Sequence, residues 1–274
     1  MKKLMCRGKG NRYMCRYKEW TAYKMLKGGG IFLIGMTMAA VLASCGNQAK
    51  SSNSGSSGTS DKEIMQKIEN AHDLVESNPD IFGWIIIPDT GIDYPLAQNL
   101  DGDDTYYETH DITGKKKSKK GGIYIKSFNM NDMCDFNTVI YGATTKDGDM
   151  FSELWNFADE NFFNKHDTLL IAIEDNILTY EVWTAYARDN TDVMQQYDFT
   201  EKTECQQYLY DMKKDWTSAT NIRSGWEDGV TPDNFLVSLV TVDSEHPDKQ
   251  WVVVGCLVED QNGTINRETL QFDE

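Results

Sequence analysis

The residues with the most evident capacity for covalent chemistry stand together in Val242-Asp-Ser-Glu-His-Pro247. Ser244 could attack a carbonyl if His246 took its proton, with Asp243 or Glu245 orienting the imidazole. Two residues spaced by one in a loop carry that pattern weakly, and an acidic surface loop accounts for the same letters. His72, His110 and His166 fall in turn or helix contexts without a paired nucleophile. The chain has six cysteines. Cys6 and Cys15 lie in a basic leader and Cys45 at its end, while Cys134, Cys205 and Cys256 are scattered through the remainder. There is no CxxC pair and no His/Cys cluster at metal-ligand spacing, so neither a metal nor another cofactor is expected. One disulfide with one free thiol fits the spacing, which does not choose the pair. Packing suffices to explain each of the three, Cys256 as a small apolar filler.

These groups need elements to hold them, and the chain divides into three parts. Residues 1–44 carry nine of the 27 Lys/Arg and one acidic residue, which leaves 18 basic and 42 acidic residues beyond them. So acidic a remainder disfavours nucleic acid and an anionic lipid surface as partners, since both need Lys/Arg patches. Solubility is the simpler reason for the charge. Gly28 to Ala43 is an apolar run of signal-peptide length, short for a membrane span, with Lys24 and Lys27 ahead of it. It ends in Leu42-Ala43-Ser44-Cys45, which resembles the lipobox of bacterial lipoproteins. That resemblance implies diacylglyceryl transfer to the Cys45 thiol, cleavage just before it, and residence on the outer face of the cell membrane. Two acyl chains suffice for stable anchoring where one is marginal. A non-lipidated signal or an uncleaved anchor is the alternative. Met25 offers a second start that would give a signal of ordinary length. Residues 45–60 form a Gly/Ser-type linker, and 61–274 a single folded domain.

Within that domain, Ile64, Ile68, Ala71 and Val75 recur at helical spacing over Asp61–Glu76, with Ser60 as N-cap and Asn78-Pro79 as the stop. The pattern then becomes mainly β. Strands are expected over Phe82–Pro88, Gly122–Ile125, Asn137–Gly142, Thr168–Ile173, Leu178–Ala187, Asn234–Val242 and Trp251–Val258. Helices are expected over Met150–Phe157 and Thr200–Trp216, the latter with Cys205, Tyr208, Leu209, Met212 and Trp216 on one face. The fold class that follows is mainly β: a closed or nearly closed barrel of about eight strands with an N-terminal helix and peripheral helices.

Several segments, in their order, resemble the class B sortases, cysteine transpeptidases that attach proteins to Gram-positive cell walls. Asn78-Pro-Asp-Ile-Phe-Gly-Trp-Ile-Ile-Ile-Pro88 is similar to the family's NPD-x-x-GW-I-x-I-P, and Ile92-Asp-Tyr-Pro95 to its I-D-Y-P. Tyr106-Tyr-Glu-Thr-His-Asp-Ile-Thr-Gly114 resembles its Y-Y motif. Thr138-Val-Ile-Tyr-Gly142 with Lys146-Asp-Gly-Asp-Met-Phe151 is similar to T-I-I-Y-G-H-N followed by D-G-x-M-F. Leu236–Thr241 and Val252-Val-Val-Gly255 take the places of the strands that bear the nucleophile and the arginine. The likeness spans about residues 61–260.

The family's chemistry needs a cysteine thiolate to attack the sorting signal, a histidine to protonate the leaving amine and an arginine for the oxyanion or substrate. The resemblance puts the histidine position at Ala143, the cysteine at Val242 and the arginine at Gln250. All three groups are missing, which closes the acyl-enzyme route and implies a catalytically inactive relative. Cys256 lies six strand residues from Gln250, roughly 20 Å, too far to substitute. A groove lined by Thr241, Val242 and Gln250 could persist, more apolar and without its cation. The function implied is a surface-tethered binding or scaffolding lipoprotein, its partner a sorting-signal peptide, a cell-wall or pilus protein, or a working sortase. Two alternatives are an active transpeptidase or peptidase using Ser244 and His246, and a structural envelope lipoprotein.

Overall fold

The computed structural model describes residues 63–64, 66–67, 74–113, 115–174, 176–214, 220–242 and 247–265. All belong to one compact unit that begins at Gly55. Cys45, the leader and linker, His72, Ser244 and His246 lie outside the described residues. Helical residues occur at 63–64, 66–67 and 74–77, in the expected N-terminal helix and one residue past its expected end. Ile64 from this segment is buried with Trp84, Ile86 and Leu170 on the outside of the sheet.

Nine strands follow: β1 (Ile81–Ile86), β2 (Asp93–Gln98), β3 (Tyr124–Ile125), β4 (Asn137–Tyr141), β5 (Thr168–Ile173), β6 (Asn176–Asp189), β7 (Asn221–Ile222), β8 (Leu236–Val242) and β9 (Lys249–Asp260). Their order is β5-β1-β2-β3-β4-β8-β9-β6-β7, and β5 also pairs with β6. That last pairing closes an eight-stranded barrel and leaves β7 as a short addition to β6. Closure removes the exposed edges that an open sheet of this size would offer. The inside is filled by alternate residues, among them Ile85, Leu96, Ile140, Ile171, Val237, Leu239, Trp251 and Val253.

Beyond the N-terminal helical residues, the α-helices among the described residues are α1 (Glu160–Lys165) and α2 (Lys202–Lys214). Asp159 caps α1 by accepting from the Phe162 amide at 2.9 Å. In α2 an acidic residue, Glu204, sits in the first turn and Lys213 and Lys214 in the last, matching the helix dipole. Its buried face is Cys205, Tyr208, Leu209 and Met212, packed on Leu236, Val240, Val252 and Val254 of β8 and β9. The outer side of those two strands is therefore a second core. Trp216, expected on the same face, lies outside the described residues.

One expected helix takes a different form, and two strands appear that were not expected. Met150–Phe157 does not form an α-helix; a 3-10 helix runs over Ser152–Ala158, after Met150 at φ 55°. Ser152 Oγ donates to the Asp149 carbonyl at 2.6 Å, tightening the turn against an α-helical start. β2 escapes the strand pattern because Pro95 lies in its middle. It is tolerated because the β2–β3 pairing involves only Ala97 and Gln98, beyond the proline. β7 has two residues, too short to show a period. The remaining strands differ from expectation by a few residues at their ends.

Candidate functional site

The three positions that the resemblance singles out are brought together by strand pairing. β4 and β8 are parallel neighbours with Tyr141 opposite Val240, and the Gly142 amide donates to the Val240 carbonyl at 3.1 Å. Continuing that register by two residues sets Ala143 level with Val242. β8 and β9 are antiparallel, and Val242 stands directly opposite Gln250. Ala143, Val242 and Gln250 thus occupy one end of three adjacent strands, each strand about 4.8 Å from the next.

Alternation then decides which side each residue faces. Val237, Leu239, Trp251 and Val253 belong to the barrel interior, so Val242 and Gln250 face outward with Val240 and Val252. Thr241 takes the inner side. It is buried, and its hydroxyl lies 2.8 Å from that of Thr144. Trp155 Nε1 donates to Thr144 Oγ1 at 2.9 Å, and its ring packs on Trp251 with centroids 5.4 Å apart. Of the three groove candidates, Thr241 is therefore part of the barrel's inner packing. Val242 is 39% exposed and Gln250 is 5% exposed.

Gln250 is covered by the segment that leaves β6. Its Nε2 donates to the Thr191 carbonyl at 3.2 Å, and Asn190 Nδ2 donates to the Pro247 carbonyl at 2.9 Å. Asp192 anchors the same segment. It accepts from Lys126 Nζ at 2.9 Å in a pair that is largely buried, and from the Tyr141 hydroxyl at 3.3 Å. Lys126 also lies 4.5 Å from the centre of the Tyr141 ring. Burial, then the Asp192 charge, raises the Tyr141 phenol well above its ordinary range, so it remains a neutral donor. Beneath this cover a small cavity persists, lined by Tyr141, Arg188, Thr191, Val240, Gln250 and Val252 among others. It has room for about one water-sized atom.

The other cysteines take no part. Among the described residues no disulfide joins Cys134, Cys205 and Cys256, and Cys205 and Cys256 are buried. Burial and then Glu181 push the Cys256 thiol up to about 11, leaving it protonated at neutral pH. His166 stacks on Phe162 and His110 on Tyr106, and neither faces a thiol or hydroxyl nucleophile of this end of the barrel. Among the described residues no group of three or more His, Cys, Asp or Glu could hold a metal ion.

Comparison with known proteins agrees with the sequence motifs. The chain is 32% identical to sortase B of Listeria monocytogenes over 190 residues, 68% of this chain and 73% of that one. The chain belongs to the class B sortase family. The solved sortase B of Listeria monocytogenes matches with TM-score 0.56 and 30% identity, over 68% of this chain and 99% of that one. A mutant form of Clostridium perfringens sortase B matches with TM-score 0.62 and 26% identity, over 72% and 90% of the two chains. No family model matches. Within the sortase barrel, reasoning from sequence missed Arg188, Asp192 and Lys126 as neighbours of the site. Arg188 directly follows the strand end expected at Ala187, and a cation there in so acidic a domain was the available signal.

Proposed function

We propose that this chain is a class B sortase homologue without transpeptidase activity, held by lipid on Cys45 at the outer face of the membrane. There it binds a sorting-signal peptide, or a cell-wall or sortase partner, through the end of the barrel formed by β4, β8 and β9. One observation carries the reading. The place where the family's thiolate, imidazole and guanidinium would converge holds Ala143, Val242 and Gln250, none of which can ionise. The strands beneath them belong to a fully packed barrel, so the loss of chemistry goes with no loss of scaffold.

The test uses the full chain and a fluorogenic sorting-signal peptide. No turnover is expected, with saturable heat on titration of the same peptide. Turnover abolished by Ser244→Ala or His246→Ala would overturn the inactive reading in favour of a serine-type enzyme. A flat titration favours a structural envelope lipoprotein, a second reading supported by the cover of Thr191 over Gln250. Ala143→His, Val242→Cys and Gln250→Arg introduced together should give a thiol that attacks the peptide; an inert, folded triple variant would refute the assignment of the three positions. N-terminal mass spectrometry after export should show a diacylated Cys45 as the first residue.

A further inference from the structure

The cation absent from position 250 has a neighbour one strand away. In the β6–β9 pairing Arg188 stands directly opposite Gln250, which itself stands opposite Val242. Directly opposed residues in antiparallel strands project to the same face. Val242, Gln250 and Arg188 therefore form one row across β8, β9 and β6 on the outer face, the two ends separated by two strand spacings, about 10 Å. An arginine side chain spans much of that distance.

Arg188 is held in place but not satisfied. One terminal nitrogen, Nη2, donates to Thr191 Oγ1 at 3.1 Å and to Gln196 Oε1 at 3.2 Å. Among the described residues its buried Nε has no hydrogen-bond partner, and no carboxylate pairs with the guanidinium. A buried donor left without an acceptor is costly, and native structures leave few of them. Arg188 is also among the residues that line the small cavity beside Gln250, whose size suits a single oxygen atom. An unpartnered N–H on a positive group next to a space for one oxygen is the complement of a carbonyl or carboxylate.

We propose that Arg188 replaces, from the neighbouring strand, the positive charge that position 250 lacks, and that the cavity receives one carbonyl or carboxylate oxygen of a bound peptide. This deepens the peptide-binding reading and depends on it for the ligand's identity. Gln250 then serves as a neutral wall, while Thr191 and Gln196 fix the arginine fork. Arg188 would act as a specificity-determining residue, selecting for the oxygen, and would perform no covalent step.

The first test needs no ligand. In the full chain carrying Val242→Cys, the rates of modification at position 242 are measured by mass spectrometry of that peptide. Two methanethiosulfonates are compared, one bearing a sulfonate and one a trimethylammonium group. The chain's net charge of −16 by itself favours the cationic reagent. With Arg188 acting at the site, the ratio of anionic to cationic rates should fall about threefold to tenfold on Arg188→Gln, as expected for one charge at this range. Arg188→Lys should largely keep the ratio, and Arg188→Met serves if the glutamine variant fails to fold. An unchanged ratio in a folded neutral variant overturns the proposal.

The second test titrates a sorting-signal peptide, as free acid and as C-terminal amide, into the unsubstituted chain and Arg188→Gln. A loss of about tenfold on substitution is expected. Loss confined to the free acid assigns the oxygen to a terminal carboxylate, and loss with both peptides assigns it to a backbone carbonyl. Equal binding by the two proteins keeps the peptide-binding reading and refutes the role of Arg188. A rate ratio that responds, with no peptide bound by either protein, keeps the charge at the site and refutes the peptide reading.

Discussion

Asn78 shows how a motif residue with no chemistry of its own can hold the barrel's opening together. It is fully buried. Its Nδ2 donates to the Tyr107 hydroxyl at 2.9 Å and the Ile112 carbonyl at 2.7 Å, and its Oδ1 accepts from the Asp80 amide at 3.1 Å. Asp80 accepts from Tyr107 Oη at 2.6 Å and pairs with Lys115 Nζ at 3.0 Å. The Asn-Pro-Asp and Tyr-Tyr motifs, far apart in sequence, are thus two halves of one buried network. Asn78→Ala leaves those groups unsatisfied and should cost about 2–4 kcal/mol in denaturant unfolding. Gly142 is equally constrained, because a Cβ there would lie 2.5 Å from Ile123 Cδ1 and 2.6 Å from Phe151 Cδ2. Alkylation should distinguish the thiols: Cys134, half-buried, reacts in the native protein, whereas Cys205 and Cys256 react only after unfolding. Mass spectrometry of native and denatured samples checks this, and native labelling of Cys256 would contradict the packing described.

At the scale of elements, the segment from Asn190 to Gln196 decides how accessible the site is. It is a connection, yet it ties β6 to β4, β9 and the Lys126 loop through Asp192, Thr191 and Asn190. Asp192 also caps the short 3-10 turn that follows by accepting from the Met194 amide at 3.1 Å. A largely buried ion pair that loses one partner leaves a costly charge behind. Asp192→Ala should therefore loosen this segment locally while the barrel strands stay protected. Hydrogen exchange at residues 191–195 should speed at least tenfold, with little change in β8 and β9. Unchanged exchange there would mean that the segment is held by other contacts. If it does open, Gln250 becomes more exposed, and Arg188 loses the fixed position that Thr191 and Gln196 give it, so any peptide affinity that depends on Arg188 should fall.

For the molecule as a whole, the barrel is rich in buried phenols. Tyr107, Tyr124, Tyr141 and Tyr180 are all held above the ordinary phenol range, in each case chiefly by burial. Tyr197 is pushed up to about 12 by burial and then by Asp211. The folded-state value exceeds the unfolded value of about 10, so the unfolded chain releases these protons first. Stability from this source is complete below about pH 10 and falls as pH rises through the folded values. The melting temperature should be nearly flat from about pH 7 to 9 and drop steeply above about pH 10. Phenolate absorbance should appear together with unfolding. Phenolate formation in a still-folded barrel would contradict the burial of these residues.

The sequence by itself determined the class of fold and the family. Its strands are short, β-branched and aromatic, and the Asn-Pro-Asp, Gly-Trp and Tyr-Gly motifs occur in order; such signals are local and survive without coordinates. It also showed that positions 143, 242 and 250 carry no ionisable group, because residue identity is independent of conformation. Pro95 hid β2 and a two-residue length hid β7, since periodicity needs several uninterrupted residues. Only the tertiary structure decided which side of the strand each site residue faces. Thr241 and Val242 are neighbours in the chain, yet one is packed against Thr144 inside the barrel and the other stands in the outer row. Only the pairing of β6 with β9 set Arg188 beside Gln250, 62 positions away, because strand register is a property of closure and not of any single segment.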